Sequence, residues 1–256
     1  MKVVILAGGQ GTRLREETEF RPKPMVEIGG KPILWHLMKS FTSYQINEFI
    51  LCLGYKGDMI REYFINYQLM QNDITVDIGR FSEVKVDGDN AKENWKVTLA
   101  DTGPLTPTGG RIFRIRNYMK DDLFICTYGD GLADVNINEL VNFHKAHGKT
   151  ATVTAVRPAT RFGALSLGMN NLVINFAEKP RSDYFVNGGF FVFNKNIFDY
   201  LDDSSTLELE PMTSLVKDEE LIAFPHNGFW QPMDTFRESK ELNELWDINK
   251  APWKNW

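Results

Sequence analysis

The chain has 256 residues, 43% hydrophobic and 25% charged, with 29 Lys and Arg against 34 Asp and Glu, a net charge of −5. That length can enclose a full core, and no linker divides it, so one domain over 1–256 is expected. The acidic balance argues against nucleic acid as a partner, since phosphate backbones call for clustered Lys and Arg, and no apolar run approaches the roughly 20 residues of a membrane span.

In chain order, KVVILA at 2–7 is a short continuous apolar run ending in glycines, which suits a buried parallel strand. The same start has no signal-peptide cleavage pattern. Pro32 opens a helical pattern, ILWHLMKSF. A second buried strand, FILCLG at 49–54, precedes a helix from Asp58 to about Met70, and residues 73–100 alternate as extended segments. LFICTY at 123–128 is a further buried strand closed by Gly129-Asp130-Gly131, followed by a helix at 137–147 and the β-branched strand ATVTAV at 151–156. FVNGGFFVF at 185–193 and LIAFP at 221–225 read as strands, and 235–248 as an amphipathic helix. The two tryptophans of the tail APWKNW pack against the core or against a neighbour. Cys52 and Cys126 lie inside apolar runs without zinc-ligand spacing, so buried free thiols in a reduced, cytoplasmic, soluble protein are expected.

Strands alternating with helices imply an α/β fold, Rossmann-like, with a mainly parallel sheet and helices on both faces. Ligands in such sheets bind at the carboxyl ends of strands. The glycine-containing loops after residues 7 and 128 and near 187 all adjoin strands, so they can converge on one cleft.

In LAGGQGTRL, residues 6–14, Gly8, Gly9 and Gly11 let backbone N–H groups approach a phosphate, Thr12 adds a hydroxyl and Arg13 a delocalised cation. A plain turn between strand and helix is the alternative. The loop is not a Walker loop, because Thr12-Arg13 follows Gly11 where Lys-Ser or Lys-Thr is needed. It is not the dinucleotide fingerprint either, because Leu14 stands where Gly or Ala is needed, which disfavours an NAD-dependent oxidoreductase. In RPKPM, residues 21–25, Pro22 and Pro24 flank Lys23; proline restrains its own φ and pushes the residue before it towards extension, so Lys23 is expected on a stiff, extended segment.

GGxGTRL followed closely by PKPM resembles the sugar-nucleotide pyrophosphorylase family, and the likeness runs over the whole chain. The resemblance implies a nucleotidyltransferase fold related to glycosyltransferase A. It implies a nucleotide site at Leu6, Ala7, Gly8, Gly9, Gln10, Gly11, Thr12, Arg13 and Lys23, with Thr108, Gly109, Arg111, Tyr128 and Gly129 completing it. Arg13, Lys23 and Asp130 are the implied catalytic set, and Asp130 of TYGDG with Asp234 of WQPMDT the implied Mg²⁺ ligands. Gly163 of RFGA, Glu178 and Lys179 of EKP, Asn187 and Gly188 of NGGF, and Trp230 are the implied sugar-phosphate site. The wording of KPMVEIGGKPILWHLMK, GYKG, NGGFFVFN, GFWQPMDT and KAPWK matches the branch that joins CTP to glucose 1-phosphate, and DTGPLTPTGGR at 101–111 is the expected base-recognising stretch. The same reaction with dTTP or UTP, or a catalytically silent sugar-nucleotide-binding module, are the alternatives; Lys23, Asp130 and Asp234 together argue against silence. The resemblance also implies a homo-oligomer, with a hexamer the specific expectation. His36, His144, His147 and His226 have no metal-ligand pattern and read as structural or surface residues.

Overall fold

The computed structural model describes residues 1–79, 83–88, 93–160, 162–178 and 180–256. One eight-stranded sheet contains β1 (Val3–Leu6), β2 (Glu48–Leu53), β3 (Lys96–Asp101), β4 (Leu123–Tyr128), β5 (Ala151–Val156), β6 (Val186–Asn187), β7 (Phe191–Asn194) and β8 (Leu221–His226). Its order is β3-β2-β1-β4-β7-β5, with β8 along β5 and β6 on the far half of the β5 edge that β7 occupies. β1, β2, β3 and β4 pair in parallel, as do β5 and β8, while β7 runs antiparallel to both β4 and β5. The sheet is thus mainly parallel, as expected, with β7 reversed within it and the short β6 also reversed along β5.

Strand alternation divides the core into two layers. Val3, Ile5, Phe49, Leu51 and Ile125 face one side, where α1 (Ile33–Thr42), α4 (Ile137–His147) and α6 (Phe236–Asp247) cover them with Leu34, Leu37, Phe41, Leu140 and Leu242. Val4, Leu6, Ile50, Cys52, Phe124 and Cys126 face the other, under Ile112 of α3 (Thr108–Arg114) and Leu215 of α5 (Glu210–Lys217). Both thiols are free and buried. Burial pushes the Cys52 thiol up to about 12 and the Cys126 thiol well above its ordinary value, so neither offers a thiolate.

The helix expected from Asp58 to about Met70 is two pieces, α2 (Gly57–Ile65) and a short turn at Tyr67–Gln71, broken at Asn66. Asparagine competes for backbone hydrogen bonds and so interrupts helices. The run at 185–193 is likewise divided, because Gly188-Gly189 bends the chain between β6 and β7. Besides the tight pairing of Glu27–Ile28 with Lys31–Pro32, two longer β-hairpins among the described residues stand outside the sheet, Asp73–Asp77 with Glu83–Asp87 and Ala164–Leu167 with Val173–Ala177. The C-terminal tail folds back on its own chain: Trp253 is fully buried, its indole N–H donating to His36 Nδ1 at 3.4 Å, and Trp256 meets Trp35 edge-on.

Candidate active site

Parallel pairing puts the carboxyl ends of β1, β2 and β4 at one edge of the sheet, and the reversed direction of β7 brings the turn that precedes it to the same edge. The loops after residues 7 and 128 therefore converge, and the turn near 187, itself outside the cleft lining, meets the second of them at Tyr128. A cleft of about 320 Å³ lies there, lined by residues 6–9 and 11–13, Lys23, Pro24, residues 106–108, Arg111 and residues 128–130. Gln10 is exposed and outside that lining.

Gly11 adopts φ +62°, and a Cβ there would lie 2.8 Å from the Thr18 methyl and 3.2 Å from Lys23 Cβ. The glycine loop can thus lie directly against the segment carrying Lys23. Pro22 has the φ of −68° that its ring demands, with an extended ψ, but Lys23 opens a 3-10 turn over Lys23–Met25 instead of extending before Pro24. The turn is closed by the Met25 N–H donating to Pro22 O at 2.8 Å and the Val26 N–H to Lys23 O at 3.1 Å. These two bonds outweigh the steric preference for extension and direct a buried lysine into the cleft.

The carboxylates reach Lys23 through a two-stranded ribbon. Gly131–Ala133 pairs antiparallel with Trp230–Pro232, in the register Gly131 to Pro232, and the Met233 N–H donates to Asp130 O at 2.8 Å. Asp130 and Asp234 consequently flank the same end of the ribbon although 104 positions separate their numbers. Lys23 Nζ lies 2.6 Å from Asp130 Oδ2 and 2.5 Å from Asp234 Oδ1, and Arg13 Nη1 lies 2.6 Å from Asp234 Oδ2. Two cations and two carboxylates meet at one point with formal charges that cancel. Glu238 fixes the approach of Asp234: its carboxylate accepts the Asp234 and Thr235 N–H groups at 2.8 Å each within the capping box that starts α6.

Arg111 borders the cleft, yet its terminal nitrogens are already engaged. They donate to the carbonyls of Gly8, Leu53, Gly103 and Pro104 and to Thr102 Oγ1, at 2.8–3.4 Å. A Cβ on Gly8 would lie 2.2 Å from Arg111 Nη1, so only glycine fits beside it. Arg111, expected in the nucleotide site, lines the cleft and also holds three loops together. Gly109 is buried against the carbonyl of Ser205 and does not border the cleft.

At the turn before β7, Asn187 Nδ2 donates to Tyr128 Oη at 3.1 Å, Asn187 Oδ1 accepts from the Gly189 N–H at 2.8 Å, and the Trp230 indole donates to Gly188 O at 2.8 Å. The Tyr128 hydroxyl donates to Glu208 Oε1 at 2.6 Å, and burial, with Glu208 adding to it, raises its pKa far above the ordinary tyrosine value. Thr108 Oγ1 donates to Glu208 Oε2 at 2.6 Å. Glu208 was missed in the sequence, because TLELE carries no motif and its partners lie 80 and 100 residues away. Gly163 and Glu178 adjoin each other, 3.2 Å separating a Cβ at Gly163 from Glu178 Oε2, at the foot of the second hairpin and outside the cleft lining. Lys179 lies outside the described residues.

The two converging carboxylates fit a hard cation. Their oxygens already hold an ammonium between them, and Mg²⁺ needs only a few protein oxygens beside substrate phosphates and water. Among the described residues no group of three or more His, Cys, Asp or Glu side chains gathers as a metal site, so these two carboxylates would be the protein's share.

Comparison with known proteins agrees with this architecture. The profile of the nucleotidyl transferase family matches residues 2–235. Glucose-1-phosphate cytidylyltransferase of Salmonella typhimurium is 53% identical over 260 residues, covering all of both chains. The probable glucose-1-phosphate cytidylyltransferase of Bacillus subtilis is 45% identical over 258 residues, again covering both completely. Among solved structures, HddC from Yersinia pseudotuberculosis superposes with a TM-score of 0.69 at 26% identity, over 96% of this chain and 99% of that one. With the sheet, the glycine loop and the match in hand, the chain belongs to the nucleotidyl transferase family.

Proposed function

We propose that the protein joins CTP to α-D-glucose 1-phosphate, forming CDP-glucose and pyrophosphate. The observation that carries the reaction class is the buried Lys23, held between Asp130 and Asp234 at the mouth of a glycine-rich loop. The choice of CTP and glucose 1-phosphate rests on full-length likeness to relatives that bear that activity in their names.

In the proposed reaction an oxygen of the sugar phosphate attacks the α-phosphorus of the nucleotide. A new O–P bond forms, the α–β bridge breaks, and its electron pair leaves with pyrophosphate. The nucleophile is already an anion, so no side chain need remove a proton. The difficulty is bringing two polyanions together, and positioning with charge stabilisation is the main contribution a protein makes to phosphoryl chemistry. Backbone N–H groups of the glycine loop cradle the triphosphate, Arg13 binds its outer oxygens, and Lys23 stands over the reacting phosphate. Asn187 and Gly188 lie at the turn that receives the hexose, with Trp230 donating to Gly188 O and Tyr128 bordering it from the nucleotide side, and Gly163 and Glu178 at the foot of the second hairpin, with Lys179 of the same EKP motif, serve the sugar phosphate. Asp130 and Asp234 would hold Mg²⁺, which when bound withdraws charge from the phosphate and screens the anions from each other.

We take 1–256 as one nucleotidyltransferase domain, supported by the one eight-stranded central sheet and by the burial of Trp253 in the core against it. A cytoplasmic setting is supported by the two free, buried thiols, and no helix among the described residues is long and apolar enough to cross a membrane. The test is a panel of CTP, dTTP and UTP against several sugar 1-phosphates with Mg²⁺, reading pyrophosphate release. CTP with glucose 1-phosphate is expected to be the preferred pair. Preference for dTTP or UTP reassigns the base, and no turnover with any pair favours a silent binding module.

A further inference from the structure

Resting on that function, we propose that Glu208 is a positioning residue that fixes the sugar-side turn at the separation from the nucleotide-side loops that in-line transfer requires. The carboxylate spans the gap between them. One oxygen accepts from the Tyr128 hydroxyl and the other from Thr108 Oγ1, each at 2.6 Å, the short distance of charge-assisted O–H···O⁻ bonds. Beyond Tyr128 the chain of bonds continues to Asn187 and the Gly189 N–H, in the turn before β7. Beyond Thr108 it enters α3, whose fourth residue, Arg111, clasps the Gly8, Leu53 and Gly103 carbonyls. Thr108 is itself held in place by the Leu207 N–H, 2.9 Å from its hydroxyl oxygen, so the segment carrying Glu208 grips the helix start twice. Tyr128 and Thr108 both border the cleft.

The charge of Glu208 is the informative feature. No lysine or arginine among the described residues pairs with it, and it stands beside a cleft that must accept two polyanions. Its negative charge opposes both substrates. What it contributes is therefore two acceptors at a fixed spacing, and a neutral side chain of the same shape can supply much of that. Glutamine can accept from Tyr128 through its oxygen and donate to Thr108 Oγ1 through its nitrogen.

Glu208→Ala releases both ends. Misplacement of reacting groups by about 1 Å costs on the order of 10²-fold in rate. The expected result is a fall in kcat of about 10–100-fold with KM for CTP changed less than about threefold, because the bonds that hold the glycine loop, Arg111 to Gly8 O and the Leu14 N–H to Gly11 O, do not involve Glu208. Calorimetric affinity for CDP-glucose, which spans both subsites, should fall at least about tenfold while that for CTP alone barely moves. Glu208→Gln should recover most of the lost kcat. Wild-type kinetics and CDP-glucose affinity in a folded Glu208→Ala protein overturn the proposal, as does a lowered melting temperature with both unaltered. Failure of Glu208→Gln to improve on Glu208→Ala overturns it too, because the charge would then be what matters. Turnover by the wild type in the same assay separates this from the parent reading: an inactive wild type defeats the proposed function and this inference with it, whereas an active wild type with unaltered variants defeats only the role of Glu208.

Discussion

Lys23 meets two opposite demands. Its ammonium is to neutralise a reacting phosphate, yet in the free protein it is bound by Asp130 and Asp234, while Arg13 is bound by Asp234. In the proposed reaction, substrate and cation exchange these partners: phosphates draw the two cations away, and the carboxylates become available to a divalent ion. Removing the lysine therefore separates two effects with opposite signs. Lys23→Ala is expected to lower kcat/KM by roughly 10²–10³-fold, the range for one preorganised contact to a transition state. In the absence of nucleotide, the same variant is expected to bind Mn²⁺ or Mg²⁺ several-fold more tightly than the wild type, because two adjacent carboxylates lose their competing cation. Calorimetric titration of the free proteins measures this. Weaker cation binding by Lys23→Ala would show that Asp130 and Asp234 do not form a shared cation site. The exchange also requires CTP to tighten cation binding by the same factor that the cation tightens CTP binding, since linkage is reciprocal.

Among the elements, α1 and the C-terminal tail are joined through one neutral histidine. His36 is fully buried; its Nε2 lies 2.7 Å from Ile28 O, Nδ1 accepts from Trp253, and Trp246 packs edge-on at 4.6 Å. Burial lowers its pKa from 6.5 to about 4; backbone contacts at Ile28 and Lys31 oppose that shift, and the Lys254 charge adds to it. Between those values the unfolded chain takes up a proton that the folded chain refuses. The neutral histidine's contribution is thus complete above pH 6.5 and is lost as the pH falls towards 4, at most about 3 kcal/mol. Melting at pH 7, 5.5 and 4.5 should show the wild type losing more stability than His36→Gln over that span; parallel losses would mean that His36 titrates normally. This contact also marks the limit of sequence reading. Strands such as VVIL and FILCL were legible because burial on both faces writes itself as a continuous apolar run, and α6 because its apolar residues recur at helical spacing; the capping box of Thr235 and Glu238 is a feature the structure adds. The helix at 108–114 was not legible, since TGGRIFR contains two glycines that weaken any helical signal. In the active site Lys23, Asp130 and Asp234 could be found because each lies in a compact motif. Glu208 and the clasping role of Arg111 arise only from contacts between distant segments, which no local pattern encodes.

For the whole molecule, the unsolved packing lies at the two hairpins. On one face of the hairpin at 164–177, Leu165 is 57% exposed, Leu167 58% and Phe176 62%, with Ile174 at 64% beside them. The hairpin at 73–87 exposes Ile74 and Val76 at 45% each and Val84 at 44%. A two-stranded hairpin is marginal on its own in water, and contiguous apolar surface of this kind is normally buried against another chain. The resemblance to the sugar-nucleotide pyrophosphorylases implies self-association, so a second copy is the expected occupant of both ribbons, with a hexamer as the specific expectation. Sedimentation equilibrium should return a multiple of the 29.4 kDa chain mass, six-fold for the hexamer. Replacing Leu165, Ile174 and Phe176 together by Ser should shift the species to lower mass without unfolding the sheet, since none of the three joins the two buried core layers. The hairpin also begins beside Gly163 and ends beside Glu178, both assigned to the sugar phosphate. Dissociation should therefore raise KM for glucose 1-phosphate more than KM for CTP, whose loop is anchored by Arg111 inside the same chain. A wild type that sediments as a monomer overturns the assembly. A dissociated variant with both KM values unchanged leaves the assembly standing but removes its link to the sugar site.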